Sequence, residues 1–269
     1  MFGEVADLYH RHRPDYPVAL FEWVTEVTGL DTTSSSRILD IGCGTGKSSS
    51  WFLEHGYRVT GLEPDADMAA VALAHPAATD RLDIVPCSLE AWRSEDGAYR
   101  LAVSGQAWHW MDPVTRFAQV ARSLGPTGWL CVFWNRPSSP PPAVADGLAE
   151  AYERVVGHVP GRLQSVRFPG SKAAVSGATP AEEFEASGLF DAVATFEHQS
   201  ERLISSAEHC ATMRTQSDHR MLGADLLDRL VNDVGATLDR LGGGYPMRLT
   251  THAYAAPVLS PGSTRRRSG

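Results

Sequence analysis

From residue 37 to residue 134 the chain alternates short apolar runs with segments of helical periodicity. The runs at 37–41, 58–62, 83–85, 100–104 and 128–134 predict strands, each bounded by turn-forming or polar residues. Between them, 47–55, 66–74 and 113–124 predict helices, with Gly56 as a stop just past the first. The connections are short, as loops between strands and helices are in such units. This alternation is the mark of a parallel sheet covered by helices.

After Trp134 the texture changes. Pro137-Ser138-Ser139-Pro140-Pro141-Pro142 predicts an extended connector, since so many prolines continue neither a helix nor a central strand. Residues 143–176 read as an insertion of mixed character. Thr179-Pro180-Ala181-Glu182 predicts a capped helix start, with Thr as cap, Pro at the first position and Glu closing the box. That helix ends at Gly188. A strand at 191–198 follows, then a second capped helix from Ser205 with Glu208 in the box position. A helix at 224–241, a turn at Gly242-Gly243-Gly244 and a strand at 247–255 complete the pattern. No internal repeat is present, and the tail 258–269, with three arginines among Pro, Gly and Ser, is expected to be disordered.

Composition narrows the function classes. The chain has 269 residues, 43% hydrophobic and 21% charged, enough to bury a core without disulfides or metal. Its 24 basic and 32 acidic residues give a net charge of −8, which disfavours nucleic acid as a bulk partner. Cys43, Cys87, Cys131 and Cys210 are far apart and form no CxxC, so neither a disulfide framework nor a zinc site is expected. The thiols are expected to stay reduced, in a cytoplasm. The first seven residues carry no basic and apolar leader pattern, and no stretch approaches the ~20 apolar residues of a membrane span.

The most informative stretch is Arg37-Ile38-Leu39-Asp40-Ile41-Gly42-Cys43-Gly44-Thr45-Gly46-Lys47, a strand running into three alternate glycines and then a helix. Such a loop lets a ligand approach the backbone where a Cβ would collide. Gly46-Lys47-Ser48 imitates the end of a phosphate-binding GxxxxGK[ST] loop, but the first glycine of that pattern falls on Ile41. The dinucleotide pattern GxGxxG fails as well, since its third glycine is due at Lys47. Asp40, at the carboxyl end of its strand, would repel a pyrophosphate and suits an ammonium group. Glu63, ending the next strand, can accept hydrogen bonds from both ribose hydroxyls. A ligand with an amino-acid end and a ribose suggests S-adenosylmethionine (SAM).

These residues resemble motif I and the following acid of the class I SAM-dependent methyltransferases. Cys87-Ser88-Leu89-Glu90-Ala91 is similar to the segment that lines the adenine in that family. Ser104-Gly105-Gln106-Ala107-Trp108-His109-Trp110 resembles the post-strand-four segment of its small-molecule branch. Tyr9 through Arg13-Pro14-Asp15-Tyr16-Pro17 is similar to that branch's N-terminal element. The resemblance spans residues 5–135 and, more weakly, 179–255. It implies a cofactor site of Tyr9, Arg13, Asp40, Gly42, Cys43, Gly44, Gly46, Glu63, Pro64, Ser88, Leu89, Glu90, Gln106, Ala107 and Trp108. Many relatives have Asp where Ser88 stands, so the resemblance implies adenine contacts from backbone groups near Leu89 and Glu90 instead.

Methyl transfer needs alignment and, for some acceptors, removal of a proton. His109, just after the fourth strand, is the candidate base; the alternative is a histidine that positions its loop. Trp92, Trp108, Trp110 and Trp134 fall near strand ends, where aromatic faces could stabilise a sulfonium or simply form core, with Trp108 the favoured contact. Tyr9, Arg13 and Tyr16 suit either a lid over the cofactor, with Arg13 on its carboxylate, or an ordinary surface helix. Pro86-Cys87 imitates a cytosine-methylating nucleophile but follows the wrong strand. The ten histidines show no ligand spacing, and no metal is expected.

The resemblance therefore implies an α/β Rossmann-like fold: a seven-stranded, mostly parallel sheet in the order 3-2-1-4-5-7-6, the last pair antiparallel, with helices on both faces and a helical cap over the pocket. The expected segments are an N-terminal helical lid (1–36), a SAM-binding core (37–135), a connector and cap (136–180) and the remainder of the same domain (181–257). The expected activity is methyl transfer from SAM to a small molecule, releasing S-adenosylhomocysteine, by a monomer or homodimer serving secondary metabolism. Alternatives are an RNA methyltransferase, a SAM-using enzyme of cyclisation or rearrangement, and a non-catalytic SAM-binding module.

Overall fold

The computed structural model describes residues 6–31, 36–78, 80–93, 96–157 and 178–259. In chain order the first half holds α1 (Ala6–His12), α2 (Val18–Thr28), β1 (Arg37–Ile41), α3 (Ser49–Glu54), β2 (Arg58–Leu62), α4 (Ala66–Leu73), β3 (Leu82–Val85) and β4 (Tyr99–Gly105). Then come a 3-10 turn (Trp108–Trp110), α5 (Arg116–Ser123), β5 (Leu124–Pro137) and α6 (Pro142–Val156). The last part holds α7 (Pro180–Ser187), β6 (Ala194–Ser205), α8 (Ser206–Arg214), α9 (Ser217–Arg220), α10 (Ala224–Arg240) and β7 (Gly244–Pro257).

The chain divides into two compact units. The sheet unit comprises Asp15–Trp134, Ser176–His198 and Thr251–Gly269. Its strands belong to a seven-stranded sheet in the order β3-β2-β1-β4-β5-β7-β6, as the resemblance implied. β1 pairs in parallel with β2 and β4, β2 with β3, and β4 with β5. Phe190, leading into β6, forms an antiparallel bridge with Val258, which follows β7, so β6 runs against β7.

Side chains alternate between the two faces of each strand, and the chain supplies apolar residues for both. Ile38, Val59, Leu101, Val103, Cys131 and Phe133 face one layer, where α2 contributes Leu20, Phe21 and Val24 and α3 contributes Phe52 and Leu53. Leu39, Leu62, Ala102, Leu130 and Val132 face the other, against Phe117 and Val120 of α5 and Phe184 of α7. Each large apolar side chain so buried contributes about 1.5–3 kcal/mol over an exposed one. Residues 18–28, expected in a lid segment, thus form part of the sheet's own core.

Element edges depart from the pattern for local reasons. α5 starts at Arg116, not 113, because Asp112 turns the chain first: its carboxylate accepts from Val114 N–H (3.1 Å) and the Thr115 hydroxyl (2.8 Å). β5 runs to Pro137, three residues beyond the expected end, and α6 opens on Pro142, so the connector is shorter than the prolines suggested. The cap before α7 forms as expected, with Glu182 N–H bonding the Thr179 hydroxyl at 3.3 Å.

The helical unit comprises Met1–Pro14, Asn135–Val175 and Gln199–Thr250. The first part of the segment read as mixed insertion is helix α6, of 15 residues. It buries Val144, Leu148, Ala151 and Tyr152 against Leu227, Leu230, Val231, Val234 and Leu238 of α10. Those four positions lie on one helical stripe, a signal present in the sequence but masked by the proline run before it. The remainder of the insertion, 158–176, and the tail 260–269 lie outside the described residues. The Ser205–Glu208 capping box starts α8 as expected. No helix among the described residues is long and apolar enough to cross a membrane.

Candidate functional site

The glycine loop leaves β1 at its carboxyl end. Gly42 has a φ of +69°, and a Cβ there would stand 2.6 Å from the Ala107 Cβ, so the post-β4 segment is packed directly on the loop backbone. Gly42 and Cys43 N–H both bond the Leu62 carbonyl, at 2.9 and 3.1 Å, which ties the loop to the end of β2. Gly46 N–H closes the turn on Cys43 O at 2.9 Å. Burial pushes the Cys43 thiol well above its ordinary range, with Asp40 and Glu63 repelling a thiolate, so Cys43 is an inert wall of the loop.

Two carboxylates flank this loop. Asp40 is fully buried; its Oδ2 accepts from the hydroxyls of Ser48 and Ser49, both at 2.6 Å, while its Oδ1 has no partner among the described residues. Burial raises its pKa to about 6, the serine hydroxyls opposing the rise and Glu63 adding to it. Glu63 is also buried, and its two oxygens are used separately. Oε2 accepts from Gly44 N–H (2.9 Å) and Oε1 from Asp65 N–H (2.8 Å), so each retains a lone pair for another donor. Burial raises the Glu63 pKa and those two N–H bonds hold it back. Pro64, beside it, is exposed.

Ser49 was not singled out in the sequence, and Ser48 was named there only as the end of the Gly-Lys-Ser run. Their signal was available: two hydroxyls at the very start of the helix that follows the glycine loop, beyond a strand-end carboxylate. Lys47 spends its ammonium on Asp15, so the Gly-Lys-Ser that imitates a phosphate loop is used for internal pairing.

The expected adenine-lining residues follow β3. Leu89 is buried in the sheet core, and Ser88 is half-buried. Glu90 accepts from Asp112 N–H at 2.9 Å. Burial would raise its pKa, but that bond, its own backbone N–H and the Ser88 hydroxyl together lower it. Glu90 thereby ties the post-β3 loop to the segment after β4.

That segment carries Gln106, the one non-glycine residue with positive φ (+59°) among those described, a conformation that costs about 1–2 kcal/mol. Gln106 N–H bonds Phe133 O at 2.9 Å, which holds it there. Trp108 is buried among Phe117 and its neighbours, with the Arg116 guanidinium 4.9 Å from its ring centre. His109 is exposed, and the Trp134 indole donates to its Nδ1 at 3.3 Å. An indole N–H only donates, so a neutral His109 carries its proton on Nε2. Trp110 is exposed.

Tyr9 and Arg13 belong to the helical unit. Arg13 Nε donates to the Thr215 hydroxyl at 3.0 Å, and its guanidinium lies 5.2 Å from the Tyr9 ring centre. The two expected partners are thus adjacent, with the arginine oriented by a residue of α8's carboxyl end that the sequence did not point to.

Comparison with known proteins agrees with this geometry. Residues 39–132 match the model of a methyltransferase domain family. An uncharacterised methyltransferase of Mycobacterium tuberculosis is 33% identical over 134 residues, half of this chain. A methyltransferase-like protein of Schizosaccharomyces pombe is 29% identical over 133 residues. The matches span about half the length of these curated relatives. Among solved structures, a candidate type II methyltransferase from Anaeromyxobacter dehalogenans aligns over 93% of this chain and 99% of its own, at 20% identity and a TM-score of 0.58. A phosphoethanolamine N-methyltransferase of Haemonchus contortus aligns over 96% of this chain and 58% of its own, at 16% identity and a TM-score of 0.54. At those identities the likeness is one of fold. The segment that matches the methyltransferase domain family holds the glycine loop, Asp40 and Glu63.

Proposed function

We propose that this chain transfers a methyl group from SAM to a small-molecule acceptor and releases S-adenosylhomocysteine. The observation that carries the reading is the pair of buried carboxylates on the glycine loop, each with accepting capacity unspent. The unpartnered Oδ1 of Asp40 fits the ammonium end of the cofactor, and the spare lone pairs of Glu63 fit the ribose hydroxyls. Bound there, SAM would supply an electrophilic methyl on sulfur. Its transfer to a lone pair of the acceptor would leave S-adenosylhomocysteine, with any acceptor proton passing to solvent or a nearby base. The chain's share is alignment. His109 enters this reading as a positioned residue, since its Nδ1 already accepts from Trp134 and its Nε2 bears the proton. The net charge of −8 supports a small acceptor over a nucleic acid, and four cysteines free of disulfides support a reducing cytoplasmic setting.

Calorimetric titration with S-adenosylhomocysteine, with ATP and NAD as controls, tests the site. Micromolar binding of the first alone is expected; binding of ATP or NAD in its place would overturn the reading. A screen of small acceptors with methyl-labelled SAM then tests transfer. The affinity should also depend on pH with a definite sign. Protonated Asp40 cannot attract an ammonium, so the dissociation constant should rise as pH falls through about 6 and level off above it. Asp40→Asn should remove that step; a flat profile in the unmutated protein would show that Asp40 does not face the ligand's charge.

A further inference from the structure

Arg116, at the start of α5, is an arginine buried to 5% exposure inside an aromatic layer. Its fork is divided: Nη1 donates to the Trp108 carbonyl at 2.8 Å, and Nη2 pairs with Glu183 of α7, also at 2.8 Å. The guanidinium plane lies 4.9 Å from the Trp108 ring centre and 5.6 Å from that of Phe117. Burying a guanidinium costs desolvation even when a partly exposed carboxylate such as Glu183 pairs with it, so its presence calls for another account.

The contacts supply one. The segment that Arg116 grips is the one packed against the glycine loop, since Ala107 immediately precedes Trp108 and meets Gly42. Its other anchors are Gln106 N–H on Phe133, Asp112 N–H on Glu90 and the Trp134 indole on His109. Two of these anchors are made by charged side chains, Glu90 on Asp112 N–H and Arg116 on the Trp108 carbonyl, and the Arg116 anchor is the one next in the chain to Ala107. We propose that Arg116, anchored by Glu183, is a positioning residue of the cofactor site: its hold on the Trp108 carbonyl keeps Ala107 seated on Gly42 and thereby fixes the loop that binds the cofactor. This rests on the methyl-transfer reading of the loop.

The role needs both arms of a planar fork, which a single ammonium does not provide. S-adenosylhomocysteine binding is therefore measured by calorimetry at 25 °C beside thermal melting for Arg116→Met, Arg116→Lys and Glu183→Gln. Arg116→Met and Arg116→Lys should weaken binding by about ten-fold or more while remaining folded at 25 °C. Glu183→Gln, which keeps an accepting oxygen, should stay within about three-fold. A lowered melting temperature with unchanged affinity in Arg116→Lys would show a merely structural arginine and overturn the proposal. Should Arg116→Met fail to fold, Arg116→Lys alone decides it. Absence of binding in the unmutated protein would instead overturn the methyl-transfer reading, and this role with it.

Discussion

Glu63→Ala is expected to weaken S-adenosylhomocysteine binding by roughly ten- to hundred-fold, about 1–3 kcal/mol. Two losses combine. The ligand's hydroxyls lose a charged acceptor, and the loop loses the side chain that organises it, because Gly44 N–H and Asp65 N–H both bond this carboxylate. Glu63→Gln should recover little. A glutamine has one accepting oxygen, so one of the two backbone N–H groups would face an amide NH2. Calorimetric titration of the three proteins checks this; affinity in Glu63→Ala within about two-fold of the unmutated protein would remove Glu63 from the binding site.

Gly42→Ala should lower both stability and binding, and Gly29→Ala separates the causes. Both glycines have positive φ, +69° and +60°. A Cβ at Gly29 meets nothing within 4 Å, whereas one at Gly42 would lie 2.6 Å from the Ala107 Cβ. Gly29→Ala should therefore carry only the backbone cost, about 1 kcal/mol. At Gly42 the clash is with the root of a side chain, so backbone must move, adding about 1–3 kcal/mol. Denaturant unfolding should show Gly42→Ala destabilised at least twice as much as Gly29→Ala, and only Gly42→Ala should lose S-adenosylhomocysteine affinity. Equal destabilisation of the two would mean the loop and the post-β4 segment are not packed together.

The legible parts of the fold were those whose signal is local. β1 and β2 occupy the expected positions, since strands buried on both faces read as continuous apolar runs. The capping boxes at Thr179 and Ser205 fall on the expected residues because a cap is a contact three residues long. β6 was underestimated: it runs to Ser205 with most of its residues half-buried or exposed, so its length follows from pairing with β7, not from its own pattern. Of the candidate site, the nearness of the glycines, Asp40 and Glu63 was legible because loop and acids sit at two adjacent strand ends.

By itself the sequence determined the parallel core, the spacing of the glycines and the two acids at adjacent strand ends. Each is a matter of residue type at fixed short separation, which the chain's own geometry converts into position. Tertiary structure alone decided how those groups are used. The serine hydroxyls turned onto one oxygen of Asp40, the division of Glu63 between Gly44 and Asp65, the indole that sets the proton on His109 and the fork of Arg116 between Trp108 and Glu183 are side-chain hydrogen bonds. Such bonds depend on direction and on distances of about 3 Å. Arg116 and Glu183 lie 67 residues apart in the chain, and no periodicity brings them together. Packing of α5 and α7 on one face of the sheet does.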